Sequence, residues 1–324
     1  MNGTTKPWLM IAASLTALGL ILFAGSMTAY GWDFSRLSTV KYETNTYEVS
    51  GSFDKISIDE DTAKIELAPS PDGTCHIVCF EAEKVKHTAN VQNGTLVIGA
   101  LDTRKWYDHI GIFLGSPKVT VYLPQVAYAS LSIETDTGGV AIPEYFTFEN
   151  LSIKGDTSDV DCSASVSNAM EIALSTGDVK IDGAAADRIK LTTKTGGIRV
   201  NSVASTGSID IETDTGDVRL TDVICGNLTV ESDTGTISLK NVVADGRFSI
   251  ESDTGNVRLE NSDAAQLSIG TDTGDVTGTL LSEKVFIAET STGRVNVPKT
   301  VTGGKCEITT STGDIKIDIA LPHP

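Results

Sequence analysis

A triplet built on threonine and usually ending in glycine returns along this chain at a spacing that hardly varies. It reads DTG at 136–138, DTS at 156–158, STG at 175–177, KTG at 194–196, DTG at 214–216, 233–235, 253–255 and 272–274, and STG at 291–293 and 311–313. Each copy follows the last by 19 or 20 residues. A unit this short cannot bury an apolar face alone, so ten of them without insertions must stack into a solenoid.

The residues around each triplet describe one turn. Before Gly216, Ile209, Ile211, Thr213 and Thr215 alternate with polar residues, and after it Val218 and Leu220 do the same. Both stretches have strand periodicity, but the inward set passes from odd to even numbers across the motif. Such a phase slip is a corner. Glycine suits a corner because the backbone there takes φ > 0 or approaches a neighbour too closely for a Cβ. Gly138, Gly177, Gly196, Gly216, Gly235, Gly255, Gly274, Gly293 and Gly313 are the predicted corner residues. The expected fold is therefore all-β, a parallel β-helix or β-solenoid with ten 19–20-residue rungs and two strands per rung. Its length is on the order of 48 Å at a strand spacing of about 4.8 Å. The threonines 137, 157, 176, 195, 215, 234, 254, 273, 292 and 312 are expected to point inward and stack as a ladder.

Upstream, no charged residue falls between Trp8 and Gly31, a stretch long enough to cross a hydrocarbon core of about 30 Å. A cleaved signal peptide has a shorter apolar region and small residues at −3 and −1. Cutting after Ala29 or Gly25 would instead place Met27 or Phe23 at −3, so an uncleaved anchor is the favoured reading. Lys6 and the α-amino group bias the N-terminus inward, which predicts a single-pass cell-membrane protein whose C-terminal domain is extracytoplasmic. The expected domains are a transmembrane anchor at 1–32, a linker at 33–44, a β cap region at 45–130 contiguous with the solenoid, and the repeat domain at 131–324. Within the cap, 53–67 matches the repeat with Ala63 in place of glycine, a hairpin turns at Asn93-Gly94, and 118–124 reads as a strand. The irregular loop 104–117 carries Arg104, Trp106, Tyr107, Asp108 and His109, and its Ile110, Ile112, Phe113 and Leu114 are expected to pack over the solenoid end.

The formal charge of −18 argues against nucleic-acid binding, which needs clustered Lys and Arg. Five Cys and four His with no CxxC or HExxH leave little for zinc chemistry. Cys162 and Cys306 fall at core positions of the repeat, and Cys75 and Cys79 lie about 13 Å apart if their strand is straight, too far for a disulfide. DTG is also the aspartic-protease signature, but that motif occurs once or twice after apolar residues, whereas here it keeps solenoid register after polar ones. The aspartates pose a finer question. Asp214, Asp233, Asp253 and Asp272 face outward on four successive rungs, and Asp217 and Asp275 follow the glycine, so these six are candidate calcium ligands. The competing and favoured reading makes them solvated, corner-capping residues offset by Lys180, Arg199, Arg219, Arg258 and Lys316. No cofactor and no catalytic residue is expected.

The apolar span running into GWDF, the KWYDHIGIF loop, the KVTVYLP strand and the serial [DS]TG[DG][VI] repeats together resemble a bacterial putative-adhesin family of β-strand-repeat proteins of unknown function. The resemblance covers nearly the whole chain and is most specific over 131–317. It implies a β-helix or related solenoid at the cell envelope of a Gram-positive-type bacterium, in some relatives encoded beside envelope-stress systems, and it carries no established catalytic residues. The expected function is that of a non-enzymatic, membrane-anchored surface protein, acting as an adhesin, an envelope scaffold or a stress-associated interaction protein. Its partners are the membrane, through residues 8–31, and a surface protein or polysaccharide. The alternative is a carbohydrate-active β-helix enzyme, a polysaccharide lyase or hydrolase.

Overall fold

The computed structural model describes residues 5–32, 38–109 and 115–320. The helix Thr5–Ala29 carries no acidic residue in its first turn and no basic residue in its last. Its apolar portion, Pro7–Ala29, is 23 residues long, about 34 Å at 1.5 Å per residue, and therefore long and apolar enough to cross a membrane. A signal sequence meets the same criterion. The hydroxyls of Ser14, Thr16 and Thr28 donate to the carbonyls of Met10, Ala12 and Ala24 at 2.8, 2.9 and 2.7 Å, so these polar groups are satisfied within the helix.

One coil shows how the rest is built. In Ser208–Thr215 the side chains of Ile209, Ile211 and Thr213 are buried, and the chain then turns at 214–217. Val218–Cys225 begins the second face with Val218 and Leu220 inward. At Asp222, with φ 55°, the same strand bends onto a short third face that buries Val223 and Cys225. The expected two strands per unit are thus three faces. The second corner carries no recurring glycine to mark it: Ser202, Asp222, Asn241 and Asn261 take it with φ of 53, 55, 53 and 49°, and Gly183 takes it in one rung with φ 65°. Small polar residues tolerate that left-handed region better than bulky ones do.

Successive coils stack in parallel register, Ile189 on Ile209, Ile209 on Leu228, and Leu228 on Phe248. On the next face Ile198, Val218, Ile237 and Val257 do likewise. The result is one continuous apolar core running from Ile56 to Ile317. All five cysteines are free and buried. Burial pushes the thiols of Cys75, Cys162, Cys225 and Cys306 up to about 12, as befits small core residues.

The cap region extends the stack. Lys55–Glu60 and Lys64–Pro69 pair in parallel with Ala127–Thr135 and Val140–Ile142, so the 53–67 match is a true rung. On their other side lie Thr95–Asp102 and Lys118–Leu123, also parallel. The hairpin Val85–Gln92/Thr95–Asp102 turns at Asn93 (φ 52°) and Gly94 (φ 78°), as Asn-Gly predicts. His76–Ala82 closes the second face, antiparallel to both Lys118–Leu123 and Tyr42–Glu48. The first face therefore holds a file of parallel strands from Thr95–Asp102 to Lys284–Thr292.

The rungs do not follow chain order at the C-terminal end. Gly304–Thr312 pairs with residues 267–273 on one side and with Lys284–Thr292 on the other, so the last unit is inserted between its two predecessors. Ile315–Ile319 is flanked in the same way by Val276–Leu280 and Val295–Asn296. The final strands are hydrogen-bonded on both edges, which opposes fraying where an in-order terminus would have one edge bare. A buried ion pair, Lys284 Nζ to Asp263 Oδ1 at 2.6 Å, sits where the chain skips the rung.

Candidate functional site

Each predicted glycine corner is a place where neighbouring backbones touch. A Cβ on Gly216 would stand 1.9 Å from the Gly196 carbonyl oxygen, and one on Gly235 would stand 2.0 Å from that of Gly216. The same clash, with a backbone oxygen at 1.8 to 2.3 Å, holds at Gly138, Gly177, Gly196, Gly255, Gly274, Gly293 and Gly313.

The threonine expectation is corrected here. The motif threonines are in backbone register, Thr195 on Thr215 and Thr215 on Thr234, but their side chains are exposed. Corner residues 214 and 215 both face out, so the inward phase ends at Thr213, two residues before the Thr215 that strict alternation would make the last. The buried hydroxyl belongs to the residue three before the glycine. Thr193, Thr213, Thr271 and Thr310 donate to the carbonyls of Gly177, Gly196, Gly255 and Gly274 at 3.1 to 3.3 Å, capping the crowded corner from inside.

The six candidate calcium ligands fall into two columns. Asp217 and Asp275 belong to a capping ladder: their Oδ1 atoms accept from the amides of Thr236 at 2.9 Å and Asp314 at 2.8 Å. Asp159 and Asp178 do the same for Asp178 and Gly197. The second oxygen meets arginine, Asp178 with Arg199 at 3.1 Å and Asp217 with Arg219 at 2.6 Å. The Gly197 amide, together with Arg199, holds the Asp178 carboxyl below the usual carboxylate range despite some burial. Asp214, Asp233, Asp253 and Asp272 are exposed, and none forms an ion pair with another described residue. Two residues before this column along each strand, Glu212, Glu231 and Glu251 stack in register on the same face. The face ends in an open depression of about 650 Å³ around Glu251, Asp253, Asp272, Glu289 and Glu307.

A second constellation was not foreseen. Glu60 ends its strand in phase with Ile56 and Ile58, and Glu81 lies in phase with Ile77 and Cys79, so both carboxylates are carried into the core. His87, on the next strand, enters between them. Its Nδ1 is 2.5 Å from Glu81 Oε2 and its Nε2 is 2.9 Å from Glu60 Oε1. The latter pair is off the hydrogen-bond axis, and neither atom has a hydrogen-bond partner. Glu81 is firmly held: its Oε1 accepts from Tyr47 Oη at 2.7 Å and Asn45 Nδ2 at 2.6 Å, and its Oε2 from the His87 amide at 2.7 Å. Lys86 Nζ stands 3.6 Å away and also pairs with Glu43. Burial alone would depress the His87 imidazole, but Cys79 and Glu60 outweigh it and push the group up to about 11. Burial raises Glu81, and the bonds from Tyr47, His87 and Asn45 more than reverse this, so it lies below its ordinary value. Burial raises the Cys79 thiol. Donor atoms of Cys79, Glu81 and His87 all lie within 4.8 Å of one another. A small cavity of about 60 Å³ is lined by Glu60, Glu81, His87 and Arg104 among others.

Of the loop expected to cover the solenoid end, Trp106–His109 is a 3₁₀ turn pinned by Asp108, which pairs with Lys84 at 2.5 Å. Trp106 is 78 % exposed. Ile110, Ile112, Phe113 and Leu114 lie outside the described residues.

The family described as Toastrack DUF4097 matches residues 53–222 and 204–321. No curated protein matches the chain. Solved structures with a similar arrangement include a putative adhesin from Parabacteroides distasonis, 12 % identical with a TM-score of 0.46, covering 85 % of this chain and 98 % of the other. A putative adhesin from Bacteroides fragilis is 14 % identical with a TM-score of 0.37 and coverage of 86 % and 97 %. A putative lipid binding protein from Parabacteroides distasonis is 14 % identical with a TM-score of 0.29 and coverage of 88 % and 98 %.

Proposed function

The chain belongs to the Toastrack DUF4097 family, and from that membership we propose that it is a non-enzymatic, membrane-anchored display solenoid whose outer surface engages an envelope partner, a surface protein or polysaccharide. The observation that carries this reading is the uninterrupted acidic face. Glu212, Glu231 and Glu251 stand in register beside the exposed column Asp214, Asp233, Asp253 and Asp272, with no loop rising between the rungs. Stacked like charges cost stability, about 0.9 kcal/mol for a pair at rung spacing in bulk-water dielectric. Packing would be served equally by neutral residues, so the acidic columns are best explained by what they meet outside. The helix Thr5–Ala29 serves as the anchor in this reading, holding the solenoid outside the cytoplasm as an adhesin, envelope scaffold or stress-associated interaction protein.

The test is site-specific photocrosslinking in intact cells from Ser249, an outward position beside the glutamate column, in the full chain. Discrete crosslinked products in the membrane fraction, lost when Glu212, Glu231 and Glu251 are changed to Gln, are expected. Release of reducing sugar from an envelope or plant glycan by the purified full chain, abolished by replacing a single carboxylate, would overturn the reading in favour of a carbohydrate-active enzyme. Recovery of the protein wholly in the medium would remove the anchor.

A further inference from the structure

We propose that the end of the solenoid opposite the cap is a self-association surface, on which two copies of this chain pair tip to tip across a two-fold axis. That end is the rung 284–303, outermost because the last unit slips inside it. Lys284–Thr292 pairs with Gly304–Thr312 on one edge, and Val295–Asn296 with Ile315–Ile319. Among the described residues nothing pairs with their other edges. A bare strand edge offers a row of unmatched amides and carbonyls, and a terminal repeat ordinarily presents a polar capping face instead.

This end is also apolar. Leu281, Val285, Ile287, Val295 and Val301, on this rung and the turn into it, are between 40 and 88 % exposed. Elsewhere in the described part of the repeat domain, Tyr145 and Ile224 are the only large apolar side chains so exposed. On the core side Phe286, Ala288 and Val297 are half-buried, because no further described rung covers them. Apolar surface gathered in one place marks a contact.

Charge selects the occupant. The chain carries −18, so two rods meeting side by side bring acidic columns together. The rung 284–303 holds Lys284, Glu289, Arg294 and Lys299. Lys284 is paired with Asp263 at 2.6 Å and Arg294 with Asp314 at 2.7 Å, which leaves one carboxylate and one ammonium. This rung is thus neutral, and end-on contact lets two copies meet without stacking like charge.

A second copy also fits the shape of the end. A two-fold axis perpendicular to the rod makes Lys284–Thr292 antiparallel to its counterpart. With the axis at Ile287, Phe286 of each copy lies opposite Ala288 of the other, large on small across the joined core, and the two Ile287 side chains meet outside. The same axis exchanges the second and third faces, so Val295 of each copy comes over the return segment 297–303 that carries Val301. The N-terminal helix joins the chain at the cap, the other end of the file of strands, so tip-to-tip pairing would link copies on facing membranes. That consequence rests on the anchored reading above, whereas the pairing itself does not.

The test compares Ile287→Cys with a mid-rod control, Asp214→Cys, in the full chain in detergent, where the five native cysteines are buried. Opposed residues of an antiparallel pair lie within disulfide reach, so mild oxidation should link Ile287→Cys into a dimer and leave Asp214→Cys monomeric. Full chain in phosphatidylcholine vesicles should cluster them. Val285→Lys with Ile287→Lys, both at exposed positions, should weaken clustering by at least about 10-fold. Changing Glu212, Glu231 and Glu251 together to Gln should leave clustering intact, which separates failure of the acidic-face reading from failure of this one. A chain that does not insert into vesicles removes the anchor and leaves the disulfide result to decide the pairing. No dimer from Ile287→Cys, an equal dimer from Asp214→Cys, clustering unmoved by the two lysines, or clustering with protein-free vesicles would each overturn the proposal.

Discussion

Gly216→Ala should destabilise the solenoid by about 3–5 kcal/mol, a figure that follows from the corner geometry. The new Cβ would lie 1.9 Å from the Gly196 oxygen and 2.5 Å from its carbonyl carbon, whereas a carbon and a carbonyl oxygen rest at about 3.3 Å. The rungs must therefore part locally by roughly 1.4 Å, estimated from that contact distance. Parting them stretches the bond from the Gly196 amide to the Thr215 carbonyl, 2.9 Å, and that from Thr213 Oγ1 to the Gly196 carbonyl, 3.3 Å. Each lost bond costs about 0.5–1.5 kcal/mol and overpacking about 1–3 kcal/mol more. Gly216 also has φ 157°, where side chains are rarely found. Gly270 is the matched control: it lies within a strand, and the nearest atom to its would-be Cβ is Thr309 Oγ1 at 3.7 Å. Gly270→Ala should be neutral or stabilising by up to about 1 kcal/mol. Urea unfolding of the full chain in detergent, followed by far-ultraviolet circular dichroism, compares the two. Equal midpoints, or a Gly216→Ala loss below about 0.5 kcal/mol, would refute close backbone approach as the reason for the repeated glycine.

Asp178→Ala should cost about 1 kcal/mol in the same assay by orphaning the Gly197 amide, and Asp178→Asn, which keeps the acceptor, only a few tenths. Millimolar Ca²⁺ should raise the melting temperature no more than Mg²⁺ does, because Asp217 and Asp275 already accept backbone amides. A calcium-specific rise would instead assign the aspartate columns to the ion. His87 makes the fold sensitive to alkali. Its folded value, about 11, lies above the unfolded value near 6.5, so its contribution is complete below about 6.5, declines above that and is gone once pH passes 11. Between pH 7 and 8.5 stability should therefore fall by up to about 1.4 kcal/mol per pH unit, and in His87→Gln that slope should flatten.

Much of the fold can be read from residues alone. The period and alternation around Gly216 predict stacked rungs, the 53–67 match with Ala63 predicts an extra one, and Asn93-Gly94 predicts the hairpin. Thr215 misleads because a corner places two consecutive residues outside, which alternation cannot express. The cap cluster does carry a signal in the sequence. Glu60 continues the inward phase of Ile56 and Ile58, and Glu81 that of Ile77 and Cys79. A carboxylate in core phase demands a buried partner. Which partner it finds depends on His87 arriving from a different strand, and periodicity holds no information on that.

Local pattern thus determined the all-β character, the inward columns, the corner glycines and the apolar N-terminal span, because each depends only on spacing along one strand or helix. Tertiary structure alone decided the order of the rungs at the ends, the third face and the meeting of Cys79, Glu81, His87 and Glu60. The rungs present nearly equivalent inward sets, Leu267, Cys306 and Phe286 in one file, so many stackings would satisfy the same pattern. The choice among them falls to long-range pairing: the terminal strands gain partners on both edges when the last unit slips inside its predecessor.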